Sequence, residues 1–300
     1  MKTNLALFFV VLAMMQTACS PAGKALPGVS NLSSHANLQG GGGETSEGIP
    51  TPSRAAPVTS QPVHPGQFIA PFPLDSRTYS APWKRPDTQI IIDAYSGNGI
   101  DWDKMATDKR VTAVIHRSTS GMTLDTAYKA REKMAKVRGY LWGAYHLGQA
   151  GNPIAQAKLF LNTIGDTANT MMFLDLEDTS NPKMMNISNA KIFLNYVFQQ
   201  TGKIPVIYAN GGVTLALTAA MKSDPTFTKT RLWYARFKSS ITDFKSSNLL
   251  WPNYFLWQFS SEINCTKSGN CLYNVPGTSA DMDVNVFYGS RAALAYEWSI

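Results

Sequence analysis

Little in this chain of 300 residues suits redox or metal chemistry, for it has only three cysteines and four histidines. His35, His64, His116 and His146 fall into no H-E-x-x-H or Cys/His spacing, so no metal ligand is assigned and metal catalysis is not expected. No G-x-S-x-G turn is present to expose a nucleophilic serine. No glycine-rich loop follows a strand to cradle a phosphate, so no cofactor is expected either. The GGGG at 40–43 has no strand before it and reads as linker. Charged residues make up only 16% of the chain, yet basic ones outnumber acidic ones enough to give a net +7, which suits polyanionic surroundings. No Lys/Arg cluster interleaved with aromatics stands out, so nucleic acid is not an expected partner. The apolar run LALFFVVLAMM at 5–15 is about half the length a membrane span needs.

That short run, with Lys2 ahead of it and Ala18-Cys19 behind it, is the pattern of an export signal over residues 1–19. Cys19 resembles the lipidated first residue of a bacterial lipoprotein, although Gln16 stands where that pattern usually has an aliphatic residue. The alternative is cleavage after Ala18, leaving a free thiol. Ser20 is compatible with outer-membrane sorting. In an oxidising compartment an odd cysteine needs an explanation. Cys265 and Cys271, in EINCTKSGNCLYN, are close enough to close a short disulfide loop, which would leave Cys19 for acylation; two free loop thiols are the alternative. Residues 20–86, with GGGG and IPTPSRAAPVTSQPVHPGQ, carry too few large apolar residues to offset their chain entropy and are expected to form a flexible tether.

From 87 to 300 the pattern becomes regular. TQIIIDAYS, VTAVIHRST, YLWGAYHLG, TMMFLDLED, KIPVIYANG, RLWYARF, YFLWQFSS and DMDVNVFYG are short, apolar and bounded by turn residues, as strands are. Helical patterns lie between the early ones: TAYKAREKMAKVRG, PIAQAKLFLNTIG with Pro153 in its first turn, and NAKIFLNYVFQQTG with Gly202 as its C-terminal cap. Strands alternating with helices predict a parallel sheet, and eight of them predict closure into an α/β, TIM-like (β/α)-barrel. KSSITDFKSSNLLWPN is too broken for a helix, so the last third is expected to lack its full set of outer helices.

In TMMFLDLED, Asp175 and Glu177 are two residues apart and so point to the same side of a strand, their Cα atoms roughly 6.5 to 7 Å apart. Barrel active sites sit at the C-terminal strand ends, which puts this pair at the mouth. Two carboxylates this close raise each other's proton affinity, the arrangement that sets one as acid and one as base or charge stabiliser. A capped loop or a cation site is the alternative use of such a pair. Asp93 ends the run TQIII, and Asp281 and Asp283 lie near the start of the last strand; each alone reads as a loop or cap residue. Together they could place four carboxylates round one mouth. Tyr95, Tyr145, Tyr208, Trp233 and Trp257 are candidate stacking faces for sugar rings, with core packing as the competing role. Acids beside aromatic planes suit glycosidic bond cleavage. His146, next to Tyr145, is expected to satisfy a hydrogen bond near the barrel.

In motif order this stretch resembles glycoside hydrolase family 25, the bacterial and phage muramidases (lysozymes), from about Gln89 to Tyr288. IIIDAYSGNGIDWDKM is similar to the family's opening segment, AVIHRSTSG to its second strand with Ser120 where a glutamate is common, and LWGAYHLG to its Y-H-F strand. FLDLED is similar to its D-x-E strand, IPVIYAN to the next, LWYARF and LWQFSS to the late pair, and MDVNVF to its terminal D-x-N-x-F. The resemblance implies an eight-stranded barrel with about five proper helices. It implies Glu177 as general acid, Asp175 as the group that orients and stabilises the substrate 2-acetamido group, Asp93 and Asp283 as outer carboxylates, and Tyr145 and Tyr208 as cleft lining.

The expectation is an exported muramidase that cuts the β-1,4 bond between N-acetylmuramic acid and N-acetylglucosamine. Its partners are then peptidoglycan glycan strands and a membrane, through an N-terminal lipid anchor, with the protein acting as a monomer. The alternatives are a hydrolase of another N-acetylhexosamine polymer such as chitin, a wall-binding lipoprotein without turnover, and an effector aimed at rival cells. The intact D-x-E speaks against the second and the lipid-accepting cysteine against the third.

Overall fold

The strands are β1 (Thr88–Ala94), β2 (Val111–Ser120), β3 (Thr123–Leu124), β4 (Leu141–Leu147), β5 (Met171–Leu176), β6 (Val206–Asn210), β7 (Leu232–Ala235), β8 (Leu256–Ser260) and β9 (Asp283–Tyr288). They come from a computed structural model that describes residues 79–244, 249–266 and 271–300. The expected export signal, Cys19 and the tether as far as residue 78 lie outside the described residues. Neighbours run β1-β9-β8-β7-β6-β5-β4-β2, and β1 pairs with β2 to close an eight-stranded barrel; β3 only forms a hairpin with the end of β2.

Seven strands run parallel, as the alternation of strands and helices predicts. The eighth, β9, departs from that expectation and is antiparallel to both β1 and β8. Its connection explains the reversal. A parallel neighbour needs a crossover to the far end of the barrel, usually a helix. Among the described residues the chain between β8 and β9 holds only the single helical turn Glu262–Asn264, so β9 starts at the end where β8 stops.

Alternation along each strand sorts side chains to two cores. Ile91, Ile115, Phe173, Val206, Trp233 and Leu256 fill the barrel interior. Ile90, Ile92, Val114, Leu174, Ile207 and Phe259 face outward beneath the helices. Gly143 makes room inside: a Cβ there would stand 2.7 Å from the Phe173 ring and 3.2 Å from Trp298.

The helices are α1 (Trp102–Met105), α2 (Tyr128–Val137), α3 (Pro153–Ile164), α4 (Ile187–Thr201), α5 (Gly211–Met221) and α6 (Arg291–Ser299). Pro153 opens α3 behind the cap Asn152, and Gly202 closes α4 in the left-handed conformation, φ 71°. No helix joins β7 to β8 among the described residues. The sequence reading missed α5 and α6. Two glycines open α5, which obscures its start, yet Asn210 caps it by accepting the Val213 N–H. Helix α6 closes the end of the barrel opposite the mouth: Leu294 and Trp298 pack into the interior and Trp298 Nε1 donates to the Trp142 carbonyl at 2.8 Å.

The packed fold also begins earlier than Asp87, so the tether boundary at residue 86 is corrected. Tyr79 and Trp83 are buried, and Trp83 stacks on Phe259 with centroids 3.9 Å apart. These rings sit in a proline-containing stretch without periodicity, which hid their role. Cys265 and Cys271 are joined in a disulfide.

Candidate active site

Inward alternation on β5 carries Met171 and Phe173 into the core and Asp175 to the mouth, where the strand ends one residue later. Glu177 follows at the rim in contact with solvent. Its backbone carbonyl is held by Asn210 Nδ2 at 2.8 Å, which fixes the end of β5 against the start of α5. Register places Asp175 between Leu147 on β4 and Tyr208 on β6. Asp93, the inward residue near the end of β1, pairs directly with Asp283, the first residue of β9. The four carboxylates proposed from sequence therefore occupy one end of the barrel, and the reversal of β9 is what brings Asp283 there.

Asp93 is buried and accepts two hydrogen bonds on Oδ2, from Asn285 Nδ2 at 2.6 Å and Gln258 Nε2 at 3.0 Å. Gln258 Oε1 accepts in turn from the Tyr208 hydroxyl at 2.8 Å, and Asn285 Oδ1 from Trp233 Nε1 at 2.6 Å. This chain of amides runs from the barrel core to the carboxylate and leaves Asp93 little freedom. Asp175 differs: its Oδ1 is buried and has no hydrogen-bond partner among the described residues. A buried polar atom left unpaired costs about 1–3 kcal/mol, which marks it as a place for a ligand donor.

Burial is the main reason that all four acids hold their protons more tightly than usual. Asp175 lies well above the ordinary carboxylate range through burial, then repulsion from Glu177, Asp93 and Asp283, with Arg117 opposing. Asp283 is likewise raised by burial, then by Asp93, Glu262, Asp281 and Glu177. Burial pushes Asp93 to about 6, the amide hydrogen bonds holding it back from going higher. Glu177, although exposed at the rim, is raised by the partial loss of water around its carboxyl, again with Arg117 opposing. Four carboxylates crowded into one mouth disfavour ionising together. Glu177, at the rim, is the member best placed to exchange a proton with water and substrate.

Arg117, Gln258, Asn285 and Asp125 complete the site and were not singled out from sequence. Each of the first three is a polar residue at an inward position of its strand, as Asp93 is. Arg117 is paired with Asp125 at 3.1 Å and lies over the Tyr95 ring, 4.7 Å from its centroid. Asp125 also accepts the Ser96 and Ala127 N–H groups at 3.0 Å.

The aromatic candidates separate. Tyr145 and Tyr208 line the mouth, both packed edge-on against Trp233 at 6.3 and 4.7 Å. Tyr95 is 39% exposed but serves as a platform for the Arg117 guanidinium. Trp233 is buried beneath the tyrosines, in the barrel interior. Trp257 is fully buried on the outer face of β8, edge-on to Trp83, with its Nε1 donating to the Arg236 carbonyl at 2.7 Å. Neither tryptophan offers a face to the mouth, so their assignment as stacking surfaces is corrected to core packing. Strand alternation sends Trp257 outward, because Gln258 takes the inward place.

His146 bridges Thr119 Oγ1 at 2.7 Å and Gln156 Oε1 at 2.9 Å, and burial pushes its pKa down to about 4. Among the described residues no group of three or more His, Cys, Asp or Glu side chains is disposed to hold a metal ion.

Comparison with known proteins follows the same lines. The family model for glycosyl hydrolases family 25 matches residues 92–267. That span includes Asp93, Asp175 and Glu177 and stops short of Asp283. Among solved structures, the bacterial lysozyme from Streptomyces coelicolor is 22% identical, with 72% of this chain and 99% of that one covered at a TM-score of 0.58. A family GH25 lysozyme from Aspergillus fumigatus is 23% identical, over 71% of this chain and 100% of that one, at 0.56. The muramidase from Trichobolus zukalii is 20% identical, over 70% and 99%, at 0.55. These likenesses show the barrel fold. No curated protein matches the sequence.

Proposed function

The chain belongs to glycosyl hydrolase family 25 and is thus a glycoside hydrolase, and on that premise we propose that it is a muramidase acting on peptidoglycan. The observation that carries the reading is the juxtaposition of Glu177, just past the end of β5, open to solvent and raised in pKa, with Asp175 in the strand, whose buried Oδ1 has no partner among the described residues. The solved lysozymes and muramidases of the same fold support it.

In this reading the β-1,4 bond between N-acetylmuramic acid and N-acetylglucosamine lies across the mouth. Glu177 gives its proton to the glycosidic oxygen as that bond breaks, the work of a general acid whose raised pKa favours keeping that proton until then. Asp175 accepts the N–H of the neighbouring 2-acetamido group on Oδ1, so the acetamido oxygen attacks the anomeric carbon and closes a positively charged ring. Asp93 and Asp283 add negative field around that charge. A water then gives its proton to Glu177 as its oxygen attacks the anomeric carbon, which reopens the ring and restores the acid. Such substrate-assisted hydrolysis departs from the usual two-carboxylate scheme. Tyr208, tied to Gln258, and Tyr145 border the sugar.

Residues 1–19 act as the export signal, Cys19 takes the lipid, and the segment after it lets the barrel reach the wall from a membrane as a monomer. Replacing Cys19 with alanine should release the protein from membranes with its specific activity unchanged.

The test is turnover of purified peptidoglycan by Glu177→Gln and Asp175→Asn. Both should lose nearly all activity, and Glu177→Gln should still bind glycan, because the change removes a proton donor at almost constant volume. Full activity in both folded variants would end the proposal.

A further inference from the structure

His116 is wholly buried on the outer side of β2, one residue before the inward Arg117, with its ring packed against Tyr128 of α2 and Trp142 of β4. Its Nδ1 lies 2.7 Å from the Arg117 carbonyl and its Nε2 3.0 Å from Arg131 Nη1 on α2. A carbonyl only accepts and a guanidinium only donates, so Nδ1 carries the ring proton and Nε2 the lone pair. Burial pushes the pKa of His116 down to about 4, with the charges of Arg131 and Arg117 acting the same way and Asp125 opposing. At neutral pH the ring is therefore an uncharged acceptor for Arg131.

The other donors of Arg131 go to the turn after β1. Nη1 also donates to the Tyr95 carbonyl at 2.7 Å, and Nη2 donates to the Asn98 carbonyl. Those two residues close the turn on each other: the Asn98 N–H donates to the Tyr95 carbonyl at 3.0 Å, and Asn98 Oδ1 accepts the Tyr95 N–H at 2.8 Å. Asp125 holds the same turn by accepting the Ser96 N–H at 3.0 Å. What the turn presents is the Tyr95 ring. The ring folds back over Gly97 so closely that a Cβ there would stand 2.5 Å from it. On it lies the Arg117 guanidinium, 4.7 Å from the centroid and paired with Asp125 at 3.1 Å. Arg117 in turn is the cation that acts on Asp175 and Glu177. A continuous set of contacts thus runs from α2 to the mouth.

We propose that Arg131 is a positioning residue for the mouth: its fork to Tyr95, Asn98 and neutral His116 fixes the turn after β1, and the Tyr95 ring carried by that turn fixes the Arg117 guanidinium. Arg131 touches no reacting atom. A planar fork suits three acceptors held at set angles, which a single ammonium does not. The inference rests on the reading above for the role of Glu177.

The test uses the full-length protein and follows the Glu177 carboxyl directly, by carbon NMR titration of glutamate-labelled protein. Its resonance is the one absent from Glu177→Gln, and melting temperature checks folding. Arg131→Gln frees the turn, so Arg117 is held less firmly beside the acids and its charge favours the carboxylate less. The Glu177 titration should then move upward, in the direction expected of Arg117→Gln. In the Arg117→Gln background Arg131→Gln should add nothing, because the two act through one group. Arg131→Lys keeps the charge without the fork and should restore only part of the native value. Tyr95→Leu, which leaves Arg131 and the backbone of the turn in place, should reproduce the upward shift. On peptidoglycan the alkaline limb of kcat should follow the titration, with KM within about twofold.

An unmoved titration in folded Arg131→Gln, or in Tyr95→Leu, overturns the proposal. So does a shift that adds in full to that of Arg117→Gln, or complete restoration by lysine, since either would mean that Arg131 acts by its own charge. Peptidoglycan turnover keeps the two readings apart. If turnover persists while the titration never moves, the positioning role falls and the hydrolase stands. If turnover is absent while the shifts appear as expected, the positioning role stands without the reaction.

Discussion

Asp93 and Asp283 face each other across the antiparallel pairing of β1 with β9, so both side chains leave the same surface of the barrel wall. In a parallel pairing the first residue of the last strand would lie at the opposite end, about the length of a strand away. The reversed strand thus assembles the acidic mouth. It also brings Asn285 within 2.6 Å of Asp93, the donor that most directly steadies this acid.

Asp175→Asn should separate stability from activity. Above the ordinary aspartate pKa an unfolded chain ionises Asp175 freely, whereas the folded site resists ionisation through burial and repulsion. The native form binds the extra proton, so the contribution of Asp175 to stability is greatest at acid pH and is lost as pH rises through its raised pKa. The asparagine variant should therefore melt higher than the unsubstituted protein at pH 7 to 8, by about 2–4 °C for each kcal/mol relieved. The difference should vanish at about pH 3.5, where both states are protonated. Melting curves at the two pH values check this, and a lower melting temperature for the variant at pH 7 to 8 would refute it.

Arg117 sets the upper end of the pH range. Its charge opposes the rise in the Glu177 pKa, so Arg117→Gln should raise that pKa further and keep the acid protonated to higher pH. The alkaline limb of the kcat profile should move upward, even as overall activity falls. A downward shift would show that the limb belongs to another group.

Trp257→Ala and Tyr208→Phe should fail in different ways. The first empties a fully buried site between β8 and Trp83 and should cost about 3–5 kcal/mol of stability, with KM unchanged in the protein that remains folded. The second removes one hydrogen bond to Gln258, about 1 kcal/mol of stability, and loosens the amide chain that holds Asp93, so its loss should appear in kcat. Denaturation curves and steady-state kinetics on both variants separate the two roles.

A chain cut to begin at Asp87 should be markedly less stable than one beginning at Tyr79. The cut removes Trp83 from its stack on Phe259 and Tyr79 from its contacts with Phe244 and Tyr254. Urea midpoints compare the two; equal midpoints would show that these rings add nothing.

The barrel was legible because seven of its strands alternate with the period and turn signals of a buried parallel sheet, and because Asp175 and Glu177 sit two apart at a strand end. Three features were not. The direction of β9 depends on whether the loop before it contains a crossover helix, and the sequence there carries no periodic pattern. Trp257 looked like a sugar platform because aromatic residues serve core and cleft equally; only register against Gln258 decides. Arg117 was hidden for the opposite reason, since a lone arginine in a strand ordinarily reads as a solvent-facing residue, and its charge is balanced by Asp125, just past the other arm of the hairpin, a partner that only the folded hairpin reveals.

The central claim is that Glu177 protonates the glycosidic oxygen of a muramic acid linkage. Mass spectrometry of the soluble fragments released from purified peptidoglycan tests it most directly, with Glu177→Gln alongside. The account predicts fragments that end in reducing N-acetylmuramic acid and that are absent with the variant. Fragments ending in reducing N-acetylglucosamine, or the same fragments from Glu177→Gln, would contradict it.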